Sequence, residues 1–468
     1  NAPLAASDND ALPNSVAVLP FVNVGADPKN EYFSDGVTEE ILDAVSRIPG
    51  IKVAARTSSF AFKGKSEDIS EIARRLRVAN ILEGSVQRSG DQVRITAKLV
   101  KANDGFQVWS EHYTRPAADL FAVEDEISRS IATALRTTLA ADAVLASGGT
   151  ADVGAHQYYL LGLDSWSRRN KAAVHDAEAY FSKAIAADST YALAHAGLAL
   201  ALSVLPNYDP DVAPAPTFDR GRAAANRALA LDPNSAQAYA ALSQIAQYQD
   251  SLASAARLAK RAIAINPNYA TAHQWLAEVY WLEGRNAEAL AQIKTALQLD
   301  PLSIVMNGLQ CQVDLSAGDY IGATRVCKAI HARDPEFVSA SSKLFQIALE
   351  THRYDDARAA LRDLLGPDAF LADTIIGGFT TPAGRAAALR LIDNPAEANA
   401  SEIATVAMVA ELIGDRDRAI AIAQKAAQLG VAGWQFWSVM SSPGMKSLRE
   451  DTRFPAIYRW PRGRTPNP

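Results

Sequence analysis

Cysteine is nearly absent: two occur in 468 residues, Cys311 and Cys327, which excludes a disulfide-dense secreted scaffold and leaves room for one bridge. Positive charge is short as well. The formal net charge is −6, so the Lys/Arg surplus that phosphate contacts need is missing, and nucleic acid is not an expected partner of this chain. Long apolar runs are missing too; the longest, Tyr191 to Leu205, carries His195 and Ser203 and falls short of a bilayer span. The histidines, at 112, 156, 175, 195, 273, 331 and 352, form no metal-ligand motif, and no serine or cysteine sits in a nucleophile elbow. Glu124, Asp125 and Glu126 open a helix, where the macrodipole alone accounts for them. No catalytic residue, metal site or cofactor is assigned, and a non-enzymatic chain is expected. An initiator methionine is also lacking; the small, polar start NAPLAASDNDALPNS reads as truncated or processed.

What is present suits folded domains: 49% apolar and 21% charged residues are ordinary for globular protein, and the length calls for more than one core. Val16 to Leu19 reads as a buried strand, and Val37, Ile41, Leu42, Val45 and Ile48 recur at helical spacing between an N-cap at Asp35 and the stop at Pro49-Gly50. Ile51 to Ala55 is a second strand, and Ile69, Ile72, Ala73 and Leu76 a second helical stripe, with Asp68 and Glu71 at capping-box spacing. Two such steps imply partly parallel pairing. Then Val93, Ile95, Ala97 and Leu99 alternate with Arg94, Thr96 and Lys98, flanked by the turns Ser89-Gly90-Asp91 and Asn103-Asp104-Gly105, which makes a three-stranded meander. A helix from Asp119 to about Leu139 closes the unit, and Ser147-Gly148-Gly149-Thr150 is a flexible joint.

The remainder is helical and repeats. Pro233, Pro267, Pro301 and Pro335 stand 34 residues apart, each preceded by Asp or Asn. With that proline at position 32, alanine fills position 20 (Ala255, Ala289, Ala323) and position 27 (Ala262, Ala296), where two antiparallel helices cross too closely for branched side chains. Gly284 and Gly318 close the first helix of a pair. Weaker copies lie on both sides, with Ala177, Phe181 and Ala184 upstream and Gly414, Ala419, Ala423 and Ala426 downstream; Pro206 to Thr217 lengthens one hairpin and Pro367 to Pro395 is degenerate. The segment Trp434 to Trp460 breaks the pattern and is expected to cap the end of the solenoid.

On these residues the second part resembles the tetratricopeptide (TPR) family. The first part is similar to the TolB amino-terminal-like domain through SVAVLPFVNV, EYFSDGVTEEILDAVSRI, VAARTSSFAFKGK, ANILEGSVQRSGDQVRITAKLV and GFQVWSEHYTR followed by DLFAVEDEI. The expected class is a small mixed-sheet α/β domain followed by an all-α TPR solenoid: residues 1–14 a linker or processed start, 15–146 the α/β domain, 147–153 a linker, 154–433 seven to eight helix pairs, and 434–468 a cap and tail. The combination resembles the C-terminal half of bacterial membrane-anchored regulators whose cytoplasmic part is a winged-helix domain or a nucleotide cyclase. That resemblance implies a periplasmic sensory module with an upstream anchor; the alternative is a free-standing periplasmic scaffold that assembles envelope proteins.

TPR geometry implies a concave face formed by the first helix of each pair. It would carry Gln237, Gln244, Gln247, Tyr248, Gln274, Glu278, Trp281, Leu282, Gln312 and Gln346, a glutamine-rich groove for a protein or extended peptide, with Tyr248 and Trp281 packing on its side chains. The competing reading is a face packed by neighbouring repeats or by the first domain. Cys311 and Cys327, at positions 8 and 24 of one repeat, fall on facing helices, so a disulfide and a pair of buried thiols both stand open. Lys63-Gly64-Lys65-Ser66 has the end of a phosphate-binding loop without its first glycine, replaced by Ser59, and no nucleotide site is expected there.

Overall fold

The computed structural model describes residues 12–24, 31–48, 50–89, 92–116, 149–150, 152–209, 211–249, 252–392, 400–428 and 433–454, together with 126, 127, 130 and 133. They divide into two compact units, Asn1–Leu276 with Lys294–Ser303, and Ala277–Ile293 with Ile304–Pro468.

The first unit opens with a mixed sheet of β1 (Leu12–Val18), β2 (Val22–Asn23), β3 (Lys52–Val53), β4 (Val78–Ser89), β5 (Gln92–Lys101) and β6 (Gln107–Pro116), with helices α1 (Glu31–Ser46), α2 (Arg56–Phe60) and α3 (Ile69–Leu76). Its order is β3-β1-β4-β5-β6, with β2 also paired to β4. β1 runs parallel to β3 and β4, because the chain returns through α1 and then α3, whereas β4, β5 and β6 follow one another through turns and are antiparallel, Val86 opposite Ile95 and Ile95 opposite Tyr113. Strand alternation then sorts the cores. Val16 and Val18 face α1 and pack with Val37, Ile41 and Val45, and Ala17 on the opposite face packs with Ile72, Ala73 and Leu76 of α3.

Two local expectations change. α1 begins at Glu31, a turn before Asp35, and the Asp35 carboxylate accepts a hydrogen bond from Lys63 Nζ at 2.5 Å instead of capping the helix. Lys63 also reaches Glu31 at 3.0 Å, so the lysine of the loop-like KGKS stretch clamps a helix. Asp68 does cap α3 by accepting from Ser70 N, but Glu71 turns outward to Arg74. The helix expected from Asp119 lies mostly outside the described residues; Ile127 is helical and packs into the sheet core. The joint at Gly148 lies outside them too.

Helical hairpins follow. The first unit holds Val153–Arg168 with Lys171–Ala187, Ala192–Tyr208 with Pro214–Leu231, and Ala236–Gln249 with Leu252–Ile265. In the second are Ile304–Ser316 with Tyr320–Arg333, Val338–Glu350 with Tyr354–Leu365, Leu371–Gly377 with Pro382–Leu391, and Ala400–Ile413 with Arg416–Gln428. Ala270–Leu282 and Asn286–Leu299 form the pair between them in sequence. The stretch read as degenerate thus contains a short hairpin. Ala255, Ala262, Ala289, Ala296 and Ala323 are fully buried, as close helix crossing requires.

Two repeat positions show their chemistry directly. The Asp or Asn before three of the four prolines turns back on its own chain: Asp232 accepts from Asn234 N at 3.0 Å, Asn266 from Asn268 N at 2.9 Å and Asp334 from Glu336 N at 3.1 Å. At position 15 the backbone is left-handed, φ +74° at Gly284, +82° at Gly318 and +93° at Gly414, and in one repeat His352 takes it at +57° without a glycine.

Candidate partner-binding faces of the helical repeats

In the first unit the glutamine row lies on helix Ala236–Gln249. Gln237 and Tyr248 are half-buried, whereas Gln244 and Gln247 are buried. Tyr248 stacks on Phe218 with centroids 5.3 Å apart, and its hydroxyl accepts from Asn207 Nδ2 at 3.0 Å and Gln244 Nε2 at 3.4 Å. Gln247 is different. It is 1% exposed, and among the described residues neither its amide oxygen nor its nitrogen has a hydrogen-bond partner; Gln244 Oε1 is unpaired likewise. An unpaired buried amide is costly, so its place in a row of glutamines calls for an explanation. Gln274, on the next first helix, is also buried.

In the second unit the row is in use. Gln346 Nε2 donates to the Val439 carbonyl at 2.7 Å and to Ser442 Oγ at 2.8 Å, and Gln312 Nε2 donates to Ser441 Oγ at 3.2 Å. Their neighbours on the same helix faces join in. Lys343 Nζ donates to the Ser438 carbonyl at 2.6 Å, Ser316 Oγ meets Ser441 Oγ at 2.8 Å, and Glu350 accepts from Ser442 Oγ at 2.5 Å and Gly444 N at 3.0 Å. Burial drives the Lys343 ammonium down to about 7, against the charge of Glu350. Trp281 is buried, with its indole N–H donated to Ser316 Oγ at 2.9 Å; Glu278 is half-buried and Leu282 buried.

An open groove with exposed aromatic residues is therefore not what the side chains form. Trp281 is 3% exposed because its ring is core and its N–H is spent on the neighbouring repeat's serine. Gln312 and Gln346 are covered because the segment expected to cap the last hairpin brings Ser438 to Gly444 onto their row. Lys343, Glu350 and Ser316 escaped sequence reading, although each lies three or four residues from a glutamine on one helix face, the spacing that places side chains together.

Cys311 and Cys327 are joined by a disulfide between helices Ile304–Ser316 and Tyr320–Arg333, Cα atoms 5.8 Å apart, in a cluster with Leu315, Ala323 and Ile330. Close by, burial lifts the Asp314 carboxyl to about 6, with Asp319 adding to the effect.

A second polar surface joins the sheet domain to the repeats within the first unit. Asn268 Nδ2 donates to the carbonyls of Ser46 and Ile51 at 2.7 and 2.9 Å, and Asn266 Nδ2 donates to Ser46 Oγ at 3.0 Å. One repeat later Ala55 N donates to the Leu299 carbonyl at 2.6 Å, and Ser58 Oγ donates to Asp300 at 2.6 Å and accepts from Leu302 N at 2.9 Å. A signal did exist: Asn266 stands where the other turns have Asp232, Asp300 and Asp334, and only an amide can donate there. Beside this surface His156 bridges Glu40 Oε1 at 3.0 Å and the Tyr191 hydroxyl at 3.2 Å, and Arg56 pairs with Glu39 at 2.7 Å. Burial pushes the Glu39 carboxyl up to about 7 against the pull of Arg56.

Residues 246–310 and 314–370 match the tetratricopeptide repeat family. Over those residues the hairpins are TPR repeats. Over 188 residues, 40% of the chain, the sequence is 38% identical to a protein of Rhizobium meliloti (strain 1021) provisionally named adenylate cyclase 3. The chain spans about a third of that relative, 32% of its length. Similar solved structures include a thermophilic TPR protein of Thermus thermophilus (20% identity, 44% of this chain and 98% of that one, TM-score 0.34). Others are pilF of Pseudomonas aeruginosa (17%, 45% and 90%, TM-score 0.34) and YrrB, described as a TPR protein with an unusual peptide-binding site (19%, 41% and 95%, TM-score 0.30). Among the described residues no helix is long and apolar enough to cross a membrane, and no cluster of His, Cys, Asp and Glu could hold a metal ion.

Proposed function

We propose that this chain is the non-enzymatic, partner-binding module of a bacterial membrane-anchored signalling protein, working in the periplasm, with a TolB-like domain carrying TPR repeats that take a protein or extended peptide. The observation that carries the reading is Gln247, a buried amide with donor and acceptor both unpaired on the concave row. A polypeptide backbone offers one carbonyl and one N–H, which is what that amide lacks, and Gln346 supplies the precedent by holding the Val439 carbonyl. A partner reaches Gln247 when the row opens, and the binding energy includes the amide satisfied on contact. The Cys311–Cys327 bond supports an oxidising compartment. The partial likeness to the Rhizobium meliloti protein supports an effector domain elsewhere in the full protein, a cyclase or a winged-helix module. In the mechanism the partner acts through the solenoid. The first hairpins and the sheet domain are tied by Asn266, Asn268 and Ser58, so the signal passes through a fixed joint.

Gln247→Met tests this. The substitution keeps the volume and removes the unpaired amide, so the melting temperature should hold or rise while capture of the envelope partner by the chain, read by mass spectrometry against the parent, is lost. Unchanged capture by a folded Gln247→Met chain would remove the row from the binding site.

A further inference from the structure

Within the second unit the chain is already bound to itself. Helix Gly433–Met440 and the turn after it place Ser438, Val439, Ser441, Ser442 and Gly444 against Lys343, Gln346, Glu350, Gln312 and Ser316, by the hydrogen bonds given above. Recognition falls largely on main-chain groups and serine hydroxyls: the carbonyls of 438 and 439, the N–H of 444, and the side chains of Ser441 and Ser442. That is how a protein reads a peptide.

A segment needed only to cover an apolar end requires no such apparatus. Phe436, Met440, Met445 and Leu448 already supply the covering, packed with Ile403, Ala407 and Ile420. The groove side instead buries an ammonium and two amides beside the half-buried Glu350 carboxylate, groups whose desolvation offsets most of what their hydrogen bonds return. Polar groups so placed contribute selectivity for one conformation of the bound chain more than net stability. Turn geometry is part of what is read: a Cβ on Gly444 would come within 2.6 Å of Glu350 Cγ and 2.5 Å of Cδ, so any larger residue after Pro443 pushes the Glu350 side chain out of its place. Arg449 closes the turn from outside, donating to the carbonyls of Met440 and Ser442.

We propose that Ser438–Gly444 is an internal ligand of the second unit's concave face, a latch, and that the face accepts in its place a partner polypeptide presenting the same chemistry: a serine-bearing Ser-Ser-Pro-Gly-type turn at the end of a short amphipathic helix. The proposal rests on the partner-binding reading and adds that the second half of the face is closed until such a turn displaces the chain's own.

The test uses the whole chain and a fluorescent synthetic peptide with the sequence of residues 433–450. Gly444→Val, which drives the turn off Glu350, and Ser442→Asp, which sets two carboxylates together, both open the latch; the second guards against a folding defect in the first. Each variant should bind the peptide about tenfold or more tighter than the parent, and Gln346→Ala added to either should abolish that gain. Amide exchange at 438–444 should quicken in the variants while that of helix Tyr320–Arg333 stays slow. Equal peptide affinity in parent and variants, or no binding by folded variants, overturns the latch. Envelope capture separates the two readings: partner held equally by parent and open variants, and not released by the peptide, removes the latch and leaves partner binding standing. Peptide binding with no partner captured by any form leaves the latch standing and removes the broader function.

Discussion

At the scale of single residues, this chain departs from the repeat pattern where something has been added. His352 occupies a left-handed backbone position that Gly284, Gly318 and Gly414 hold in other repeats. A side chain there is strained, so His352→Gly should stabilise the protein by a few tenths to about 1 kcal/mol, read as a shift of the urea midpoint. A loss of stability would mean that the ring's contact with Tyr354, 3.2 Å from Nδ1 to the hydroxyl, outweighs the backbone cost. Asn266 is the second departure, replacing Asp so that the turn can donate to Ser46. Gln247 is the third, and the proposed function is built on its missing partners.

At the scale of elements, periodicity made most of the fold readable. The prolines at 34-residue spacing, the alanines at helix crossings and the alternation along β5 each report a local steric rule, and such rules leave marks in any single sequence. Helix starts are less legible: Asp35 has the sequence of a cap, but its carboxylate is taken by Lys63, 28 residues away, which no local pattern reports. The binding face was legible in composition and not in occupancy. Gln312 and Gln346 are polar residues on the expected helices, but the turn that covers them lies about a hundred residues downstream, and no local pattern reports a contact of that separation. The Cys311–Cys327 bond belongs to this scale, since it staples one hairpin across a sequence separation of 16. Mass spectrometry of unreduced protein should find no free thiol, and Cys327→Ala with Cys311→Ala should cost about 2–4 kcal/mol in urea unfolding. Full retention of stability would make the bond incidental to the hairpin.

At the scale of the whole molecule, the first unit carries a pH dependence of known sign. Glu39 is held up at about 7, above the ordinary glutamate value, so the folded state binds its proton more tightly than the unfolded one. The stability this contributes is full below the ordinary glutamate range and is lost as pH rises through about 7. Denaturation of parent and Glu39→Gln chains compared from about pH 5 to about pH 8 should show the parent losing ground relative to the variant, since glutamine cannot ionise beside Asp43 and Glu40. A pH-independent difference would mean that burial does not raise the Glu39 carboxyl in the folded chain.

Besides its contact with the first hairpin at His156, the sheet domain is hydrogen-bonded to two consecutive inter-hairpin turns, at 266–268 and at 300–302, one repeat length apart. The spacing between Ser46 and Ser58 is thereby matched to one TPR unit, and the small domain works as a gauge that accepts two turns of the right separation. Repeat arrays change length in evolution by gaining or losing whole units. Here such a change is neutral to the gauge only after Asp300. A unit inserted between Asn268 and Asp300 would strand Ser58, and one inserted before Asn266 would carry both turns away from the hairpin that bears His156. Descendants of this chain should therefore vary in repeat number toward the C-terminus and keep a fixed count up to Asp300.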